Sequence, residues 1–124
     1  MTKHSEIILN FAADVLLRMG PKRFTPTMDL VVAAWNAGLL PSSLTGQIRN
    51  GLVSATSKIG LKVEDTQALA VEFDRLVHQK RTRFAQHQWA VITWDGKVLD
   101  HRIVLSVGTT PLDPEKLANH MLRN

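Results

Sequence analysis

The sequence lacks cysteine and tyrosine, and its 124 residues include only three tryptophans and four phenylalanines. Without cysteine, disulfide-stapled folds, thiol catalysis and zinc sites built from thiolates are excluded. The apolar pattern at the start of the chain is interrupted by Glu6, Asn10 and Asp14, which a signal peptide or a membrane span would not tolerate. We therefore expect a cytoplasmic protein with no membrane partner.

The sequence patterns that mark catalytic sites are also missing. None of the five histidines stands four residues from another, which is the spacing of paired zinc ligands on a helix. Gly46 and Gly51 have the glycine spacing of a phosphate-binding loop, but Leu52 and Val53 occupy the positions that need lysine and serine or threonine. We expect a protein that is not an enzyme, with no catalytic residues, no metal and no other cofactor.

The composition is that of an ordinary globular domain, 44% hydrophobic and 21% charged. A chain of this length buries roughly two-thirds of its unfolded surface, which is enough for a core. No repeat, linker or low-complexity tract divides the chain, so we predict a single domain over residues 1–124.

Apolar residues recur at helical spacing up to about residue 84, and Gly20, Gly38 and Gly60 mark the ends of three helices. Beyond residue 88 the period changes to that of strands, and Asp113 caps a last helix. The prediction is an α+β fold. Residues 1–60 form a tri-helical unit of helix-turn-helix type, and residues 61–124 form a long fourth helix, a β-hairpin and a C-terminal helix.

The hairpin is predicted to turn at Asp95-Gly96, because this dipeptide between two alternating segments favours a two-residue loop. That loop would place Arg102 across from Trp89, in reach of a cation-π contact.

The third helix carries the strongest functional pattern. It follows the second helix after a turn of about five residues, as in a helix-turn-helix, and no acidic residue occurs anywhere from 30 to 63. Amide, guanidinium and hydroxyl side chains read base edges in the major groove, and lysine and arginine contact phosphates. We predict a nucleic-acid-binding, regulatory protein, with DNA favoured, whose binding residues are Lys22, Arg23, Ser43, Thr45, Gln47, Arg49, Asn50, Ser54, Lys58 and Lys62.

A structural explanation of the same pattern stays open. Small helical domains contain helix-turn-helix geometry for packing reasons alone. Gly46 and Gly51, each costing about 1 kcal/mol relative to alanine inside a helix, could serve to let another helix of the chain approach.

The order of elements loosely resembles winged-helix DNA-binding domains, in which a tri-helical unit is followed by a hairpin wing. The departure is that a fourth helix stands between Gly60 and Trp89, where the wing would follow directly. The resemblance implies a wing at Asp95-Gly96-Lys97 only if the hairpin can take the wing position although the fourth helix precedes it.

The formal net charge of +4 hides two basic blocks separated by an acidic one. The first block runs from Val15 to Val63, where one acid, Asp29, accompanies the bases Arg18, Lys22, Arg23, Arg49, Lys58 and Lys62. The second, a candidate basic patch, closes the fourth helix with Arg75, Lys80, Arg81 and Arg83. It could track a nucleic-acid backbone, or it could only complement the helix dipole.

An alternative function from another class is a protein-protein interaction module, such as an adaptor, an inhibitor or a subunit. The Trp-bearing face of the hairpin would form its interface, with Trp89, Val91 and Arg102 as candidate residues. A homodimer or another protein is the implied partner, and both functions are compatible because helix-turn-helix proteins commonly dimerise.

Overall fold

The computed structural model describes residues 3–58 and 63–122. Five α-helices and a two-stranded antiparallel sheet form one α+β domain, as predicted. Within the described residues, no helix is both long and apolar enough to cross a lipid bilayer. The elements are α1 (His4–Met19), a 3₁₀ turn (Pro21–Arg23), α2 (Phe24–Ala37), α3 (Ser42–Lys58), α4 (Val63–Thr82), β1 (Trp89–Leu99), β2 (Arg102–Pro111) and α5 (Pro114–Leu122).

The core lies between α1, α2 and α4, where the largest buried side chains come from the apolar stripes of these helices. Phe11 meets Trp35 edge to face, with ring centroids 5.1 Å apart, an arrangement that the aromatic quadrupole favours. The fully buried side chains include Ile8, Phe11, Val15, Met28, Val31, Trp35 and Phe73.

Two sets of contacts fix the directions of the helices around α4. Arg18 of α1 binds Glu72, and Gln79 donates to the carbonyl oxygen of Phe11, so α1 runs antiparallel to α4. α3 is also antiparallel to α4, because its first turn contacts the end of α4 while Arg49 contacts the middle. The C-terminal ends of α1 and α3 therefore lie at the same end of the bundle.

Gly20 ends α1 as predicted. Its φ of 81° lies in the left-handed region that glycine adopts without strain, and its N–H donates to the carbonyl oxygen of Leu16 at 3.0 Å. α2 then begins at Phe24, and Pro26 falls within its first turn, where a missing N–H does no harm.

The hairpin turn predicted at Asp95-Gly96 is wrong. The loop is Asp100-His101, whose φ angles of 47° and 64° are both positive, as a type I′ turn requires. Asp95, Gly96 and Lys97 lie inside β1, so they form no wing tip. Gly96 is needed for packing instead, because a Cβ there would lie 3.0 Å from the carbonyl oxygen of Val104.

The longer strands change which residues face each other. Trp89 pairs with Pro111, and Arg102 pairs with Leu99 at the tip, so the predicted cation-π contact between Trp89 and Arg102 is wrong. The physical reason is the register: moving the loop by five residues carries Arg102 to the distal end of the hairpin, away from Trp89.

Asn36 attaches the hairpin to the helices. Its side-chain amide donates to the carbonyl oxygen of Val91 at 2.8 Å, and its Oδ1 accepts from the backbone N–H of Val91 at 2.9 Å. The neighbouring Trp35 indole N–H donates to the carbonyl oxygen of Trp89 at 2.9 Å. A β-bulge follows between Val91 and Thr93, and there the ladder is irregular. The end of α2 therefore substitutes for a neighbouring strand at this point of β1.

Candidate nucleic-acid interface

One side of α3 is exposed from Ser43 to Ser54, and we call it the α3 face. Its residues recur at spacings of one, three and four, whereas Ile48 on the opposite side is buried in the core. Three of the predicted base-reading residues, Gln47, Asn50 and Ser54, lie on this face. The complete set is Ser43, Gly46, Gln47, Asn50, Gly51 and Ser54.

The two glycines of the α3 face have no packing role in the described part of the chain. A Cβ built on Gly46 or Gly51 would meet no described heavy atom within 4 Å. The explanation that these glycines admit another helix of the same chain is therefore not supported. Each lowers helix stability by about 1 kcal/mol relative to alanine without any visible gain inside the fold.

Arg49 lies at the border of the α3 face and contacts an acid from α4. Its Nε–H is shared between the two carboxylate oxygens of Asp74, at 3.0 Å and 3.1 Å. Both side chains stay partly exposed, and ion pairs of this kind contribute about 0–1 kcal/mol. Arg49 can therefore exchange Asp74 for a base or a phosphate at little cost.

The end of α4 reaches the start of α3 through Arg81. Its Nη2 donates to the carbonyl oxygen of Leu40 at 2.9 Å and to Oγ1 of Thr45 at 2.8 Å. Thr45 thus orients an arginine of the second basic block beside the N-terminal end of α3. One cation of the second basic block therefore lies at the start of α3.

Lys22 and Arg23 are exposed in the 3₁₀ turn that directly follows α1. Because α1 and α3 run in the same direction, these two cations lie at the end of the bundle where α3 ends. The side chain of Lys58 and the whole of Lys62 lie outside the described residues.

Lys80 does not belong to a basic surface patch, so this part of the prediction is wrong. Its side chain is only 1% exposed, and its Nζ donates to the carbonyl oxygens of Phe84 and His87 at 2.9 Å and 3.0 Å. The ammonium also lies 4.7 Å from the centre of the Trp35 ring, a cation-π distance. Burial lowers the pKa of Lys80 to about 8. Lys80 therefore stabilises the turn after α4 by binding two of its backbone carbonyl oxygens.

The other two cations of the second block are exposed and have partners. Arg75 lies 3.8 Å from Glu72, whose carboxylate also binds Arg18. The guanidinium of Arg83 lies 5.9 Å from the centre of the Phe84 ring. Of the four cations of the second block, Arg81 is the one with a described contact at the start of α3.

The candidate interface on the Trp-bearing hairpin face is closed by the chain itself. The Trp89 ring stacks on His4 with centroids 4.0 Å apart and lies 4.7 Å from the ring of Trp35. Val91 is buried against the amide of Asn36. Arg102 alone stays exposed, at the tip of the hairpin. Val91 is therefore a core residue, and Trp89 is half-buried and packed against the core.

Sequence reasoning missed Asn36 and Asp74, which position parts of this region. Asn36 had a detectable signal, because an amide stands beside Trp35 within the apolar segment of α2. Asp74 had none, because its contact with Arg49 spans 25 residues.

Among the residues that the structure describes, no three His, Cys, Asp or Glu side chains converge in a way that could hold a metal ion. Neither a protein-family model nor a curated protein nor a solved structure matches the chain.

Proposed function

We propose that the protein binds duplex DNA through the α3 face, as a small basic regulatory protein. One observation carries the proposal: an exposed helix face combines Gln47 and Asn50, one turn apart, with two glycines whose Cβ positions meet no atom of the described residues. Glycine has no side chain, so these two positions would let a partner approach the helix backbone closely.

A nucleic acid suits this face better than a protein does. The cores of protein interfaces are enriched in aromatic residues, methionine and arginine, whereas the α3 face has only polar or small residues. It also has no carboxylate, which phosphates would repel.

Duplex DNA is favoured over duplex RNA by groove geometry. The major groove of B-form DNA admits an α-helix, and glutamine or asparagine can bind adenine there with two hydrogen bonds. The major groove of A-form RNA is too narrow for side chains to read. We therefore assign Gln47 and Asn50 to base edges, with Ser54 and Arg49 beside them.

Groups that can contact the DNA phosphates lie near both ends of α3. Ser43, Arg81 and the N-terminal end of α3 form a phosphate-binding end, which the helix dipole reinforces. Lys22 and Arg23 lie at the other end of the bundle. Phosphate contacts fix register without reading sequence, so affinity should fall as salt rises.

Replacing Gln47 or Asn50 by alanine should weaken binding to a preferred duplex by about tenfold to a hundredfold, because a bidentate contact to a base contributes about 1–3 kcal/mol. The duplex is selected from a random pool with the wild-type protein, and affinity is measured by fluorescence anisotropy.

Asn119→Ala is the matched control, because Asn119 presents the same exposed amide on α5. It should bind like the wild type. Unchanged affinity in the two α3 variants, or wild-type protein that binds no duplex at low salt, would contradict the proposal.

Gly51→Ala should raise the free energy of unfolding by about 1 kcal/mol, because alanine is the better helix former and its Cβ meets open space. Urea unfolding measures this gain. The same variant should bind DNA less tightly, since the added methyl keeps the duplex away from the helix. A less stable variant would mean that Gly51 serves the fold and not a partner.

A further inference from the structure

An apolar groove lies between α1 and the distal half of the hairpin, and none of its lining residues belongs to α3. It encloses about 550 Å³, and Phe24 lies among its lining residues. α1 contributes one wall with Leu9, Ala13, Leu16 and Leu17, and the hairpin contributes the other with Val98, His101 and Ile103. Leu17 is 82% exposed there, although leucine gains free energy from burial.

The hairpin tip, residues 97–104, has exposed apolar side chains on both of its faces. Val98 pairs with Ile103, and both line the groove. Leu99 and Val104 lie on the opposite face and are 48% and 52% exposed. A hairpin that packs on its own domain needs one apolar face, and the other is normally polar. Leu99 and Val104 on this second face are therefore exposed to solvent in a single copy.

We propose that a second copy of this chain fills the groove with its hairpin tip, and that the exchange is mutual. In a twofold arrangement the two tips lie against each other between the two α1 helices. The inner faces, with Val98 and Ile103, then meet at the centre. Each outer face, with Leu99 and Val104, contacts α1 of the other copy.

This arrangement covers the walls of the groove and the exposed apolar side chains on both faces of the tip. The same chain carries both the groove and the two-faced tip, so a self-complementary interface needs no other component. A standard interface buries about 800 Å² on each partner, of which about 65% is apolar in homodimers. The proposed interface covers Leu17, Leu99 and Val104, which are 82%, 48% and 52% exposed in one copy.

The charges at the contact are complementary as well. Glu6 and Asp14 are exposed on α1, whereas Lys97 and Arg102 are exposed on the outer face of the tip. The exchange brings the acids of one copy toward the bases of the other, which favours a second copy and sets its orientation.

The oligomeric state of nucleic-acid-free protein tests this inference, which does not rest on DNA binding. Light scattering across a dilution series should give a dimer at tens of micromolar for the wild type. Leu17→Glu should raise the dimer dissociation constant at least tenfold, and Val104→Lys should do the same from the other side of the contact.

Val71→Glu is the matched control, since Val71 is 52% exposed on α4 and does not line the groove. It should stay dimeric. Because Leu17 is exposed, Leu17→Glu should keep the circular dichroism spectrum of the wild type. Wild-type protein that is monomeric at hundreds of micromolar would overturn the proposal, as would Leu17→Glu protein that dimerises like the wild type.

Discussion

Replacing Asn36 by alanine is expected to lower the free energy of unfolding by about 3 kcal/mol. The amide of Asn36 is 97% buried and makes two hydrogen bonds with the backbone of Val91. Its removal leaves a buried N–H and a buried carbonyl oxygen without partners, and each such loss costs about 1–3 kcal/mol. Urea unfolding of wild type and variant measures the difference.

The matched control is Asn119→Ala, which removes an exposed amide and should change stability by less than about 0.5 kcal/mol. A loss below 1 kcal/mol for Asn36→Ala would mean that the hairpin is attached to α2 by other contacts. The account of the fold would then need a different anchor for β1.

Raising the pH through the range from 8 to 10.5 is expected to stabilise the protein by on the order of 3 kcal/mol. Burial lowers the pKa of Lys80 from its ordinary value of 10.5 to about 8. Between these values the unfolded chain holds a proton that the folded chain has released, so stability rises with pH. Below pH 8 both states are protonated and this contribution is lost.

The neutral amine keeps two N–H groups, one for each carbonyl oxygen, of Phe84 and His87, that it contacts. The chain contains no cysteine or tyrosine, so no thiol or phenol ionises in the same window.

Lys80→Met is the control for the pH effect, because methionine fills a similar volume without a charge. Unfolding free energies measured by urea at intervals from about pH 7 to about pH 11 should rise for the wild type and stay flat for the variant. Equal slopes in both proteins would show that Lys80 is not the group responsible.

The helices could be predicted from the sequence because their signals are local. Gly20 ends α1, and the apolar spacing that the sequence shows forms the buried stripes. The hairpin was predicted, but its loop was not. Asp95-Gly96 has the better local turn preference. The Asp100-His101 loop prevails because it lengthens the ladder and packs Gly96 near the Phe24 ring.

Whether an individual charged side chain is buried, paired or exposed could not be predicted, because this depends on contacts between distant segments. Lys80 looks like a surface cation in its helix-end cluster, but Trp35 and the turn after Thr82 enclose it. Arg49 looks free to bind a partner, but α4 brings Asp74 to it. By contrast, Gln47, Asn50 and Ser54 are exposed where the helical period put them, so their assignment to a binding face needed no tertiary information.

The groove between α1 and the hairpin tip could not be seen in the sequence either. With the loop at Asp95-Gly96, the tip would be short. In the observed register Val98 pairs with Ile103 near the end of the hairpin, and both residues line the groove opposite α1.

The most direct test of DNA binding through the α3 face is an NMR titration of isotope-labelled protein with the selected DNA duplex. Backbone amide shifts mark the contact surface residue by residue. DNA binding through the α3 face predicts that the largest changes occur at Gly46, Gln47, Asn50, Gly51 and Ser54, with smaller ones near Arg81. Changes confined to the hairpin tip and α1, or no changes at low salt, would contradict it.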